Sequence, residues 1–88
     1  MKTLVICRPA AGIGREQLAP HAGEELAAVS DLHRKGLLLE AYSPGGPGAI
    51  LIFDGEVDQV TQALESLPMA RDGLIEGERI ELHPFQLD

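Results

Sequence analysis

Eighty-eight residues, 44% of them hydrophobic and 24% charged, have the composition of one globular domain (residues 1–88) and exclude a disordered chain. A net charge of −7, with seven scattered basic residues, no Trp, one Tyr and two Phe, excludes the basic, aromatic-bearing face that nucleic-acid binding needs. One cysteine, Cys7, excludes an internal disulfide and any cysteine-based metal motif, so a chain this small is expected to gain burial by forming a homo-oligomer.

The N-terminal stretch MKTLVICRPAAG carries an apolar run of about five residues. A secretory leader needs roughly 7–15 such residues and a membrane span about 20. The expected location is therefore the cytoplasm, with no membrane partner. Within this stretch Thr3–Arg8 is β-branched and apolar and reads as a buried strand that Pro9 ends. The next segment, GIGREQ, has two of the three glycines of a dinucleotide fingerprint and no Rossmann context, so it reads as a loop.

A helix is expected from between Arg15 and Pro20 to Lys35. Leu18, Ala22, Leu26, Val29 and Leu32 or His33 recur at three- and four-residue spacing and form one apolar face. Arg34 and Lys35 suit the negative end of the helix dipole, and Gly36 stands where a left-handed cap is expected. Residues 37–42 read as a second strand and Ala49–Phe53 as a third. The turn-rich SPGGPG between them makes the pair an antiparallel hairpin. Asp54 is a suitable N-cap for a second helix, whose stripe is Val57, Val60, Leu64 and Leu67 and which Pro68 stops. MARDG is a turn or a short extra helix, and residues 74–85 form the last strand.

The order β-α-β-β-α-β is the α+β, ferredoxin-like arrangement, with two helices on one face of a four-stranded antiparallel sheet. The first strand is apolar on both sides, with Leu4 and Ile6 opposite Val5 and Cys7. So is the third, with Ile50 and Ile52 opposite Ala49, Leu51 and Phe53. An apolar sheet face with no helix over it needs another cover, and a second copy of the same sheet is the simplest one.

The C-terminal stretch LESLPMARDGLIEGERIELHPF runs from Leu-Pro through Gly-Leu-Ile-Glu into an alternating strand ending in Pro-Phe. With the hairpin GLLLEAYSPGGPGAILIF and the segment APHAGEEL, it resembles the YCII-related proteins and their muconolactone isomerase-like relatives over nearly the whole chain. That resemblance implies a dimeric α/β barrel, in which two sheets pack face to face and each protomer keeps a pocket. The fold hosts isomerases, dehalogenases, cyclases and monooxygenases, so it does not choose a reaction.

His21 is similar to a histidine near the start of the first helix in YCII-related proteins, where it is suspected of acid–base work. Pro20 before it suits a helix start, and an imidazole exchanges protons near neutral pH. Glu25 lies one turn on, on the same side of the helix, placed to orient the ring. Arg8, at the end of the first strand, is a candidate clamp for an anion, or a charge surfacing at a strand end. Tyr42 is a candidate hydrogen-bond donor into a pocket, or an interface side chain. Relatives often carry an arginine just after this tyrosine, whereas Ser43 and Pro44 follow here. His21 and His33 are separated by about 18 Å of helical rise and share no metal, and His83 is expected at a strand end. Glu76, Glu78 and Glu81 read as one solvated face, and Cys7 as a buried, inert thiol.

Two functions follow. One is a cofactor-free enzyme that binds a small, largely apolar oxygenated molecule and isomerises or cyclises it, or performs lactone chemistry. His21 would move the proton, Glu25 would orient it, and Arg8 or Tyr42 would position substrate. The alternative is a non-catalytic dimeric module that binds a metabolite or assists a partner enzyme.

Overall fold

A computed structural model describes residues 1–88. Strands β1 (Lys2–Pro9), β2 (Leu38–Tyr42), β3 (Ala49–Asp54) and β4 (Ile75–Leu82) form one antiparallel sheet in the order β2-β3-β1-β4. Helices α1 (Arg15–Leu18) and α2 (Ala22–Arg34) connect β1 to β2, and α3 (Val57–Glu65) and α4 (Pro68–Arg71) connect β3 to β4. This is the ferredoxin-like α+β fold, with the hairpin and both crossovers where the hydrophobic pattern put them.

The expected first helix is interrupted. A single 3-10 turn, Ala19–His21, joins α1 to α2 around Pro20, which has no N–H for an α-helical bond. Gln17 Oε1 accepts a hydrogen bond from the Gly14 N–H at 2.8 Å and closes the α1 entrance. At the far end Gly36 adopts φ +79°. The Gly36 N–H donates to the His33 carbonyl and the Leu37 N–H to the Leu32 carbonyl, which completes a Schellman cap. The N-cap of α3 is Glu56, not Asp54, which stays in β3 and pairs with Lys2. Pro68 opens the four-residue α4, where its fixed φ is favourable, so the short extra helix is the form that MARDG takes.

Strand alternation sorts β1 and β3 as expected. Thr3, Val5, Cys7, Leu51 and Phe53 are buried under the helices and form the core with Leu32, Leu38, Val60, Leu64 and Leu67. Thr3, the one buried polar side chain, is satisfied, since its hydroxyl donates to the Gly55 carbonyl at 2.9 Å. Leu4, Ile6, Ile50, Ile52 and Ile80 occupy the other face, which no helix covers. Glu76 and Glu78 project there too. Glu81, level with Thr3, belongs to the helix side, so the three glutamates do not share a face. No helix is long and apolar enough to cross a membrane.

Candidate functional site

The residues 15, 18, 19, 22, 25, 26 and 29 follow one another at spacings of three, one and three residues. That repeat keeps them on a single face through α1, the 3-10 turn and α2. This face does not lie flat on the sheet. Between it and the hairpin β2–β3 is an open cleft of about 750 Å³, in the size range of small-molecule sites. Leu18, Leu26, Val29, Leu51, Leu67 and Ile75 give it apolar walls, and the loop Ser43–Gly48 forms the opposite lip. Gly48 closes that lip at φ +116°, where a Cβ would stand 2.3 Å from the Cys7 carbonyl oxygen, so only glycine fits.

Two charged side chains, Arg15 and Glu25, line this cleft. Glu25 Oε1 accepts a hydrogen bond from the Met69 N–H at 3.0 Å, which ties α2 to α4. Burial raises the Glu25 pKa above the ordinary carboxylate value. The Met69 hydrogen bond opposes the rise, Glu24 adds to it, and His21 and Arg71 oppose it. Cys7 lies across the cleft floor, buried and unpaired. Burial first, and Glu25 second, push its thiol up to about 11, so it is a protonated, apolar wall at neutral pH and not a nucleophile. No group of three or more His, Cys, Asp or Glu side chains is placed to hold a metal.

The four residues singled out in the sequence are divided between two faces. Glu25 lines the cleft. His21, half-buried at the 3-10 turn, stands one turn before it, close enough for its charge to act on Glu25, but does not line the cleft. Arg8 and Tyr42 are on the helix-free side of the sheet. The Arg8 Nη1 is 3.0 Å from Glu78 Oε1, and the Tyr42 hydroxyl donates to the Glu40 carboxylate. His33 lies outside the cleft near the C-terminal end of α2, and His83 Nε2 is 3.2 Å from Glu81 Oε2. The residue that sequence reasoning missed is Arg15. Its signal was available: it lies three residues before Leu18, on the apolar stripe itself, where a charge has no packing role.

No family model matches the chain, and no curated protein matches it. Among solved structures, 5-chloro-2-hydroxyhydroquinone dehydrochlorinase from Burkholderia phenoliruptrix, in complex with 2,5-dihydroxybenzoquinone, superposes with a TM-score of 0.75. The match covers 94% of each chain at 18% identity. That neighbour has the fold class of the dimeric α/β barrels, which includes muconolactone isomerase-like and YCII-like proteins. At this identity the likeness extends to fold.

Proposed function

We propose that the protein is a small-molecule enzyme that performs acid–base chemistry on an apolar, oxygenated substrate held between α2 and the hairpin β2–β3. The observation that carries the reading is Glu25, a carboxyl group in a largely apolar cleft with its pKa raised by burial. A carboxyl displaced toward neutrality by desolvation is suited to both accept and return a proton, as an isomerase or cyclase step requires. Glu25 therefore takes the proton-carrying role, and His21 becomes a positioning residue whose charge tunes it. The solved neighbour is a dehydrochlorinase with a quinone ligand bound, and this supports a cyclic, oxygenated ligand class.

The helix-free face supports a homodimer. Leu4, Ile6, Ile50, Ile52 and Ile80 form an apolar surface that a second sheet of the same chain would bury. Equilibrium sedimentation of the wild-type chain and of Ile52→Glu tests this. A dimer that the substitution dissociates is expected, and a monomeric wild type rejects the arrangement.

The functional reading is tested by NMR titration with 2,5-dihydroxybenzoquinone and a panel of cyclic enols, with proton transfer read as deuterium uptake from D2O. Amide shifts are expected in residues 22–29 and 41–49. Glu25→Gln is expected to keep binding and lose exchange, and exchange that survives this substitution rejects the mechanism. In His21→Gln, loss of the side chain whose charge lowers the Glu25 pKa raises that pKa further, so the acid limb of the pH–rate profile moves to higher pH.

A further inference from the structure

The chain holds fourteen carboxylate side chains against seven basic ones, and four of the seven have a carboxylate partner. Arg8 is paired with Glu78, Arg34 and Lys35 with Asp31, and Arg71 with Glu24 and Asp72. Arg15 forms no ion pair, and its guanidinium makes none of the side-chain hydrogen bonds within the chain. It is the only basic side chain that lines the cleft. It also occupies a position on the inward stripe of α1 and α2, ten residues before Glu25. A guanidinium offers a planar fork of donors that matches a carboxylate or another anionic oxygen. Folding does not use that fork here.

We propose that Arg15 selects the charge of the ligand: the cleft takes a small, largely apolar molecule bearing one anionic oxygen group, which docks on the Arg15 guanidinium. This rests on the reading of the cleft as the functional site. The anionic end would lie at Arg15 and the apolar body would run along Leu18, Ala22 and Leu26 toward Glu25. That polarity follows from charge. Of the two charged side chains that line the cleft, Arg15 attracts an anion and Glu25 repels one.

The test uses benzoate and its neutral isostere benzamide, titrated by NMR at fixed ionic strength into the wild-type chain, Arg15→Gln and Arg79→Gln. Arg79, like Lys2, has no carboxylate partner and does not line the cleft, so its substitution matches the change in net charge. Benzoate is expected to shift cleft amides and to bind about tenfold more tightly than benzamide, the scale of one charge-assisted hydrogen bond. Arg15→Gln removes that preference, and Arg79→Gln keeps it. Equal binding of the two probes in the wild type, or equal weakening of benzoate by both substitutions, overturns the proposal and leaves the site reading standing. If neither probe shifts a cleft amide, the site reading falls and the proposal with it.

Discussion

Helix α3 presses Val60 and Leu64 into the core until each is 3% exposed or less, whereas the longer α2 buries only Leu32 and leaves Leu26 67% exposed. Both helices carry an apolar stripe, the cleaner one on α3, and both lie on the same side of the same sheet. The difference is what stands beneath them. Under α3 is Gly77, where a Cβ would lie 3.1 Å from Val5 Cγ1 and 3.4 Å from Leu64 Cδ1. Its missing side chain lets the helix approach. Under the N-terminal half of α2 the hairpin loop Ser43–Gly48 rises as a lip, and the stripe faces open space. Periodicity thus identifies an inward face, but not whether that face is packed or left empty for a ligand.

The widest separation between the two helices is expected from one pair of substitutions. Leu64→Ala should cost about 2–5 kcal/mol of stability through lost burial and a residual cavity. Leu26→Ala should cost about 0.5 kcal/mol or less, because an exposed leucine gives up little and alanine is the better helix former. Urea denaturation reads both, and a Leu26→Ala cost near that of Leu64→Ala would show that α2 is packed in solution. Gly48→Ala comes next and tests the lip. Its backbone conformation alone should cost about 1–3 kcal/mol, before the clash with the Cys7 carbonyl is relieved. A melting temperature unchanged by this substitution would mean that the loop does not hold the conformation that shapes the cleft.

Glu25→Gln sharpens the comparison through pH. The folded-state pKa of Glu25 is raised, so the native state holds its proton more tightly than the unfolded chain does. Its contribution is therefore fully present below the unfolded value and is lost as pH rises through the folded value. The variant, which never ionises, should gain stability relative to the wild type over that window and hold a constant margin above it. Denaturation midpoints measured from pH 4 to pH 8 check this. A variant that loses stability at pH 7 would show that the Met69 N–H stabilises the carboxylate more than burial penalises it. The smallest effect is expected at Asp31→Asn on the solvent side of α2. Lys35 and Arg34 hold the Asp31 carboxyl below its ordinary pKa, and its contribution is present above the unfolded value and lost as pH falls through the folded one. The loss on substitution should be slight, and raising the salt concentration should erase it.

Arg8 and Tyr42 illustrate two limits on reading a site from sequence. Arg8 follows Cys7 in a strand, and a period of two places it on the opposite face from the cleft that Cys7 floors. That parity was legible. For Tyr42 it was not. Counted from Leu38, which is buried under the helices opposite Phe53, strict alternation puts Glu40 and Tyr42 on the cleft side. The β-bulge between Leu38 and Glu40 shifts the register by one residue. Glu40 then lies opposite Ile52, Tyr42 opposite Ile50, and Ala41 takes the place in the cleft wall. One inserted residue thus exchanges a phenol and a carboxylate for a methyl group in the site.

The sequence by itself determined the order of elements, the antiparallel hairpin, the faces of β1 and β3 and the Gly36 cap. Each of these depends on local propensity or on a short hydrophobic period, which neighbouring residues specify among themselves. Only the tertiary structure decided that Arg15 and Glu25 share a cleft, that Arg8 and Tyr42 do not join them, and that α3 is packed where α2 stands away. These outcomes depend on the distance between elements far apart in the chain and on a register shift between two strands, and neither quantity is carried by the residues of any one segment.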